Sequence, residues 1–246
     1  MAEFCIQIAG VPVGVRSIFG STRDYCRNYL SQQTPEILID VTREDLLFEQ
    51  QALDIEADEE GLRRRVFTDP FLERAAIQRQ VAEHLIDRNV LLFHGSAVAA
   101  DALGYVFTAK CGTGKSTHVR FWLQELGNRA QIVNDDKPFL HLTADGIFVC
   151  GAPWSGKHGL DANIRVPLQG LCILERGSEN RIIPEEGRAV ADFLAHQCLA
   201  PRQEARHEHF SRLVQQLADT AAVYRMECTP HPEAARMAFV TMSPGE

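Results

Sequence analysis

The sequence predicts an α/β fold, a mixed sheet with a helical C-terminal cover, and three observations support this prediction. From residue 90 onward, short apolar runs alternate with helical periodicity, which is the pattern of an α/β core. A glycine-rich loop joins a predicted strand at 104–109 to a predicted helix at 115–126. The tail from Pro184 has mainly helical periodicity.

Each element of the core is predicted from its own apolar run or helical stripe. The strands are predicted at 90–93, 96–100, 104–109, 131–133, 138–143, 146–150 and 168–175, and the helices at 115–126, 186–198, 202–219 and 231–240. We therefore expect a core domain over residues 90–246.

Residues 1–89 have a different pattern of apolar and polar residues, which predicts an N-terminal α+β extension packed on that core. Apolar and polar residues alternate on both sides of Gly10, as in a short hairpin. The other predicted elements are a brief helix at 21–30, a strand at 36–41, a solvated loop or short helix at 54–65, and a helix from Pro70 to about Asp87.

The composition is that of an ordinary globular protein and excludes several functions. The formal net charge is −8 and the pI is near 5.6, whereas a general nucleic-acid binder is usually basic. No apolar run is long enough to span a membrane, and residues 1–20 lack the features of a signal peptide. The seven cysteines are odd in number and never spaced as C-x-x-C, which favours reduced thiols in a cytoplasm. We expect neither nucleic acid nor membrane as a partner.

The loop Cys111-Gly112-Thr113-Gly114-Lys115-Ser116-Thr117 matches the phosphate-binding part of a Walker A motif. The glycines allow backbone N–H groups to turn inward, and the helix N-terminus adds partial positive charge where phosphates bind. Lys115 can reach the β- and γ-phosphates, and the Ser116 hydroxyl suits a Mg²⁺ ligand. Ala109 stands where the strict motif has glycine. The loop predicts a nucleotide site.

Two adjacent acids, Asp135 and Asp136, follow the apolar run 131–133 directly. Carboxylates at the C-terminal end of a strand lie where ligands bind in open α/β sheets. One of the two acids can hold Mg²⁺, and the other can orient or deprotonate an attacking hydroxyl. The alternative is a solvated Asp-Asp turn.

Three further segments contain candidate site residues. His94 follows the strand predicted at 90–93, where a lone histidine is more often structural. The loop 151–159 is rich in glycine yet carries Trp154 and Lys157. It can close over a bound nucleotide and bring Lys157 to the transferring phosphate, or it can be a scaffold anchored by Trp154. Arg165 can meet a phosphate or only a surface acid.

The order of these motifs over residues 90–180 resembles the catalytic domain of HPr kinase/phosphorylase. The loop at 111–117 is also similar to that of ATP-dependent phosphoenolpyruvate carboxykinase, and the segments 151–159, 166–168 and 172–177 are similar to bacterial HPr-kinase-like proteins. The resemblance implies a P-loop core of that type, ATP and Mg²⁺ as cofactors, and His94 as a site residue. It also implies that one acid is the base and the other lies near the metal, with Asp135 favoured as base and Asp136 on the metal side.

The function implied by this resemblance is a serine-type kinase that transfers the γ-phosphoryl group of ATP to a hydroxyl. The acceptor is a peptide, a protein or a small molecule. The choice of ATP rather than GTP as the phosphoryl donor rests on the resemblance alone. An ATP-binding regulator or slow ATPase is the second reading, and a phosphotransferase with a reversed or different donor is the third. Related kinases commonly assemble, so a homo-oligomer is one of the open alternatives for the oligomeric state.

Overall fold

The structure, a computed structural model, describes residues 2–59, 61–110 and 112–244. In this part of the chain the fold is mixed α/β, with thirteen strands and seven α-helices. The chain divides into two compact units, Met1–His84 and Leu85–Glu246. The sequence predicted a boundary after residue 89, and the two units divide after residue 84. No helix among the described residues combines the length and the apolar character needed to cross a membrane.

The first unit is a four-stranded sheet with three helices. Its strands run in the order β3-β1-β2-β4, and β2 pairs antiparallel with β1 and parallel with β4. Ala9 and Gly10 both have positive φ and close the predicted hairpin between β1 and β2. The elements are β1 Ala2–Ile8, β2 Val11–Ser17, α1 Ser21–Tyr25, β3 Leu30–Ser31, β4 Ile37–Asp40, α2 Arg43–Glu59 and α3 Asp69–Leu85.

Helix α2 is longer than the sequence indicated. The prediction for 54–65 was a solvated loop or a short helix, whereas Arg43–Glu59 forms one continuous helix. Only a narrow face of this helix is buried, at Leu46 and Glu49, so its apolar periodicity is weak. Arg79 of α3 forms ion pairs with Asp45 and Glu49 of α2, and these partly buried contacts tie α2 to α3.

The second unit is built on a nine-stranded mixed sheet. Its main path runs β5-β9-β10-β11-β7-β6-β8, and β13 pairs with β11 and β12 beside this path. The strands are β5 Val90–Leu92, β6 Ser96–Ala100, β7 Leu103–Thr108, β8 Ala130–Asn134, β9 Phe139–Thr143, β10 Gly146–Cys150, β11 Arg165–Arg176, β12 Arg181–Pro184 and β13 Val223–Cys228. The helices are α4 Lys115–Leu126, α5 Arg188–Gln197, α6 His207–Thr220 and α7 Pro232–Met242.

Helices cover both faces of the central strands. Along β7 successive side chains point to opposite faces, so Val106 packs in one cluster while Tyr105 and Phe107 pack in the other. The first cluster includes Leu194 of α5 and residues of α6, and the second includes Trp122 of α4 and residues of α7. This double cover buries β7 and holds the loop that follows it at a fixed place on the sheet edge.

The C-terminal tail is not wholly helical. Strand β13, which the sequence did not predict, pairs parallel with β11 from Leu171 opposite Val223 to Arg176 opposite Cys228. Strand β12 joins the outer side of β13. The pairing is between segments far apart in the chain, which local periodicity does not report. The six described cysteines are free thiols, as the sequence predicted.

Candidate functional site

The candidate site lies at the edge where β7, β8 and β11 all end. Strand β11 runs parallel to β7, with Ile173 opposite Thr108. Strand β8 also runs parallel to β7, because both pair antiparallel with β6 between them. The residues that follow Thr108 and Asn134 therefore emerge side by side, together with Arg176 at the end of β11. This is the edge at which ligands bind in open α/β sheets.

The glycine loop comprises residues 109–117, of which Cys111 lies outside the described residues. The described part takes a backbone conformation that its glycines make possible. Gly112 has φ of +74° and Gly114 has φ of +115°, values that L side chains rarely adopt. Nothing lies within 4 Å of a Cβ built at either position, so conformation rather than crowding requires glycine there. Helix α4 begins at Lys115, and no side chain caps its first turn. Its first backbone N–H groups are therefore available to an anion.

Ala109 directly follows β7 and is a core residue. It is 2% exposed and packs in the cluster that contains Trp122. Its carbonyl accepts a 3.3 Å hydrogen bond from Nζ of Lys115, which folds the lysine back over the loop. A methyl group is therefore accommodated where the strict motif has glycine.

Ser116 joins the glycine loop to the acidic turn after β8. Its hydroxyl donates to the main-chain carbonyl of Asp135 at 3.2 Å, and the buried Ser96 hydroxyl donates to the same carbonyl at 2.7 Å. Thr117 is exposed on the first turn of α4, and the Thr113 hydroxyl bonds the carbonyl of Lys110 at 2.8 Å. The predicted loop residues and the acid pair are thus in direct contact.

Asn134 fixes the turn that carries both acids. Its Oδ1 accepts the backbone N–H of Asp136 at 2.9 Å and that of Lys137 at 2.7 Å. Its Nδ2 donates to the carbonyls of Ala152 and Trp154. This fully buried amide therefore links the acid turn to the loop 151–159. The alternative of a solvated Asp-Asp turn does not hold for Asp135, which is 2% exposed.

The carboxylate of Asp135 is buried beneath Gly156. Its Oδ1 accepts the Gly156 amide at 2.6 Å, and its buried Oδ2 has no hydrogen-bond partner among the described residues. Burial raises the pKa of this carboxyl, and the Gly156 hydrogen bond only partly opposes the shift. A raised pKa and an unused oxygen are properties of a carboxylate that can accept a proton.

Asp136 is the more open of the two acids and lies between two other groups. Its Oδ2 is 2.7 Å from Nζ of Lys137, and its Oδ1 is 3.6 Å from Nε2 of His94. Burial lowers the pKa of His94 to about 4, and the positive charges of Lys115 and Lys137 add to this effect. His94 is therefore neutral at pH 7, and Lys137 is the charged partner of Asp136.

The turn at His94 is held against the acid turn by its backbone. The Gly95 amide donates to the Asp136 carbonyl at 2.9 Å, and the His94 amide donates to the carbonyl of Gln197. A Cβ at Gly95 would lie 2.9 Å from the Phe107 carbonyl, so glycine permits this close approach. The structure thus brings His94 to the site.

The loop 151–159 has a buried stem and an exposed tip. Trp154 is 5% exposed and packs edge-on against Phe139, with ring centroids 6.4 Å apart. Lys157 and His158 lie on the exposed part, immediately after the glycine that covers Asp135. The Ser155 hydroxyl bonds Asp161 at 3.1 Å and closes the base of the loop. Trp154 is therefore the anchor, and Lys157 is the side chain that solvent and ligands can reach.

Arg165 does not lie at this edge, which contradicts the first of its two expected roles, that of a phosphate-binding residue. It begins β11, and the parallel register places Leu168 opposite Gly104 at the start of β7. Arg165 is therefore at the opposite end of the sheet from the glycine loop. Its guanidinium stacks on the Phe148 ring, 3.4 Å from the centroid. The register follows from long-range strand pairing, which the sequence pattern at 163–168 did not reveal.

Two basic residues at the site were not among the predicted residues. Arg176, at the end of β11, donates through Nη2 to the carbonyl of Gly112 in the glycine loop. Lys137 forms the ion pair with Asp136 described above. Lys137 could have been predicted, because it directly follows the two acids in the sequence. Arg176 could not, because its position depends on the register of β11.

The oxygen donors at this edge suit Mg²⁺. The Ser116 hydroxyl and the Asp136 carboxylate are hard ligands, and Mg²⁺ in nucleotide sites usually takes one or two protein ligands together with phosphates and waters. Among the described residues, no group of three or more His, Cys, Asp or Glu side chains is arranged to hold a metal ion.

The chain was compared with family models, curated proteins and solved structures. No family model matches the chain, and no curated protein matches its sequence. A solved structure, the HPr(Ser) kinase/phosphatase from Coxiella burnetii, matches over 51% of this chain and 94% of its own, with 13% identity and a TM-score of 0.30.

Proposed function

We propose that this protein is an ATP-dependent kinase that transfers the γ-phosphoryl group to a hydroxyl of a peptide, a protein or a small molecule. The observation that carries the proposal is the contact between Ser116 of the glycine loop and the main chain of Asp135. Through this contact a loop suited to bind the nucleotide phosphates lies next to a pair of acids, and phosphoryl transfer uses groups of both kinds.

In this proposal the nucleotide phosphates bind the glycine loop and the N-terminus of α4. The positive-φ glycines and the uncapped first turn supply backbone N–H donors. Lys115 gives up its hydrogen bond to the Ala109 carbonyl and binds the β- and γ-phosphates instead. Ser116 and Asp136 would hold Mg²⁺, which would neutralise charge that develops on the phosphates.

Asp135 acts as the base. Its Oδ2 takes the proton of the acceptor hydroxyl while the acceptor oxygen forms a bond to the γ-phosphorus. The bond from that phosphorus to the β–γ bridging oxygen breaks at the same time, and ADP leaves. The unused Oδ2 and the raised pKa of Asp135 support this role, since both favour proton acceptance.

The test is transfer from ATP labelled in its γ-phosphoryl group to pools of metabolites and peptides, analysed for labelled products. The wild-type protein should label a hydroxyl-bearing acceptor, and Asp135→Asn should not. Hydrolysis that no acceptor stimulates in any pool would reject the kinase and favour the second candidate.

That second candidate is an ATP-binding regulator or slow ATPase. One observation favours it, namely that the Asp135 carboxylate is covered by Gly156 and buried. In a kinase the loop 151–159 must move for an acceptor to reach this oxygen. In a regulator the same contact is the link through which nucleotide binding changes the loop.

A further inference from the structure

The lysines of this chain have an unusual distribution. Only four of its 25 Lys and Arg residues are lysines, at positions 110, 115, 137 and 157. All four lie in the segments that form the candidate site, whereas the arginines occur throughout both units. Lysine carries a compact charge on a flexible stem, while arginine is a planar group suited to fixed pairs. The lysines are thus concentrated in the segments that form the candidate site.

Lys137 is the lysine whose present partner is most clearly defined. Its Nζ lies 2.7 Å from Oδ2 of Asp136, and its side chain is 38% exposed. Its backbone is fixed, because its amide donates to Oδ1 of Asn134. The ammonium group is therefore anchored at the acid turn by its main chain, with a solvent-accessible stem that can reorient.

The charges around Lys137 also indicate where it can go. Nε2 of His94 lies 3.6 Å from Oδ1 of Asp136, the carboxylate that pairs with Lys137, so these three side chains share one small region of the site. That region lies between the glycine loop and the acid turn, where Ser116 contacts the Asp135 main chain. A terminal phosphate bound beside Lys115 would therefore lie near Lys137 as well.

We propose that Lys137 is a second phosphate-binding lysine, which rests on Asp136 in the nucleotide-free protein and moves to the terminal phosphate when a nucleoside triphosphate binds. The inference rests on the proposed nucleotide site and adds a residue to it. The exchange has an electrostatic cause: Mg²⁺ at Asp136 takes over the carboxylate's charge, and the triphosphate offers the released ammonium a more highly charged partner.

This role predicts two opposite effects of Lys137→Met. Without its counter-ion, Asp136 should bind a divalent cation more tightly in the nucleotide-free protein, which a Mn²⁺ titration followed by electron paramagnetic resonance measures directly. The affinity for Mg-ATP should instead fall about tenfold, as expected for one lost charge-assisted contact. Arg181→Met, which removes an exposed charge from β12, should change neither quantity.

The scarcity of lysine allows a second readout that needs no variant. The wild-type protein is acylated with an amine-selective reagent, and the modification of each lysine is quantified by mass spectrometry with Mg-ATP, with inorganic triphosphate and with adenosine. We expect Mg-ATP and triphosphate to protect Lys115 and Lys137, and adenosine to protect neither.

The outcomes separate this inference from the proposed function. Protection of Lys115 together with unchanged reactivity of Lys137 would overturn the role of Lys137 and leave the nucleotide site standing. Protection of neither lysine by any phosphate ligand would reject the nucleotide site and the inference with it. Equal Mg-ATP affinity of Lys137→Met and wild type would also overturn the role of Lys137.

Discussion

The backbone amide of Gly156 donates a 2.6 Å hydrogen bond to Oδ1 of Asp135. The two residues belong to different segments, the loop 151–159 and the turn after β8. A Cβ at Gly156 would lie 3.2 Å from both carboxylate oxygens, so the fit is close. Access to the acid that we propose as the base is therefore controlled by the loop that carries Lys157.

The two acids should respond differently to substitution. Asp135→Asn should abolish transfer with nearly unchanged affinity for Mg-ATP, because an amide keeps the oxygen that accepts from Gly156 but cannot accept a proton. Asp136→Asn should raise the Mg²⁺ concentration needed for half-maximal rate. Steady-state kinetics at several Mg²⁺ concentrations measure both effects, and full activity of both variants would exclude the acid pair from the reaction.

Lys157→Ala should lower kcat by about 100-fold, since it removes a positive charge where negative charge is crowded during transfer. The melting temperature should barely change, because Lys157 is exposed. Arg212→Ala, which removes an exposed charge from α6, is the matched control and should leave kcat unchanged. Normal turnover of Lys157→Ala would mean that the loop 151–159 has only a structural role, with Trp154 as its anchor.

Arg176 should contribute to nucleotide affinity through the glycine loop. Arg176→Met removes the donor to the Gly112 carbonyl and a positive charge at the loop, and we expect Mg-ATP to bind about five- to tenfold more weakly. Arg176→Lys should restore part of the affinity, because it keeps the charge without the planar fork. Titration calorimetry compares these variants with Arg181→Met, for which we expect no change.

His118 should make the stability of the protein depend on pH. This histidine of α4 is 4% exposed against Phe107, and burial lowers its pKa from 6.5 to about 4. The unfolded chain therefore takes up the proton first, so stability is fully present above pH 6.5 and is lost as pH falls toward 4. The loss should reach roughly 3 kcal/mol.

His118→Leu isolates this contribution, because it removes the titrating group and keeps an apolar side chain against Phe107. Urea unfolding at pH 7 and pH 4.5 should show a smaller loss of stability for the variant than for wild type. An equal loss in both proteins would mean that His118 is not the group responsible.

The sequence predicted those parts of the fold that depend on local patterns. The strand, loop and helix around the glycine loop follow from neighbouring residues, and α4 has the predicted bounds, Lys115–Leu126. Helix α2 was underestimated because its buried face is narrow, and β13 was missed because it is defined by pairing with β11.

The same limit explains the two arginines of β11. Arg165 and Arg176 begin and end one strand, so the strand direction decides which of them reaches the glycine loop. The sequence around them contains no sign of that direction. The parallel pairing of β11 with β7 determines the direction of β11 and places Arg176 at the glycine loop.

The central claim is that the glycine loop binds a nucleoside triphosphate through Lys115. The most direct measurement is calorimetric titration of Mg-ATP into the wild-type protein and into Lys115→Met, with thermal unfolding as the check on folding. We predict saturable binding by wild type, and about 10- to 150-fold weaker binding by the variant, from the loss of 1.5–3 kcal/mol of charge-assisted hydrogen bonding. Equal affinity of the two proteins, or no binding by folded wild type, would contradict the claim.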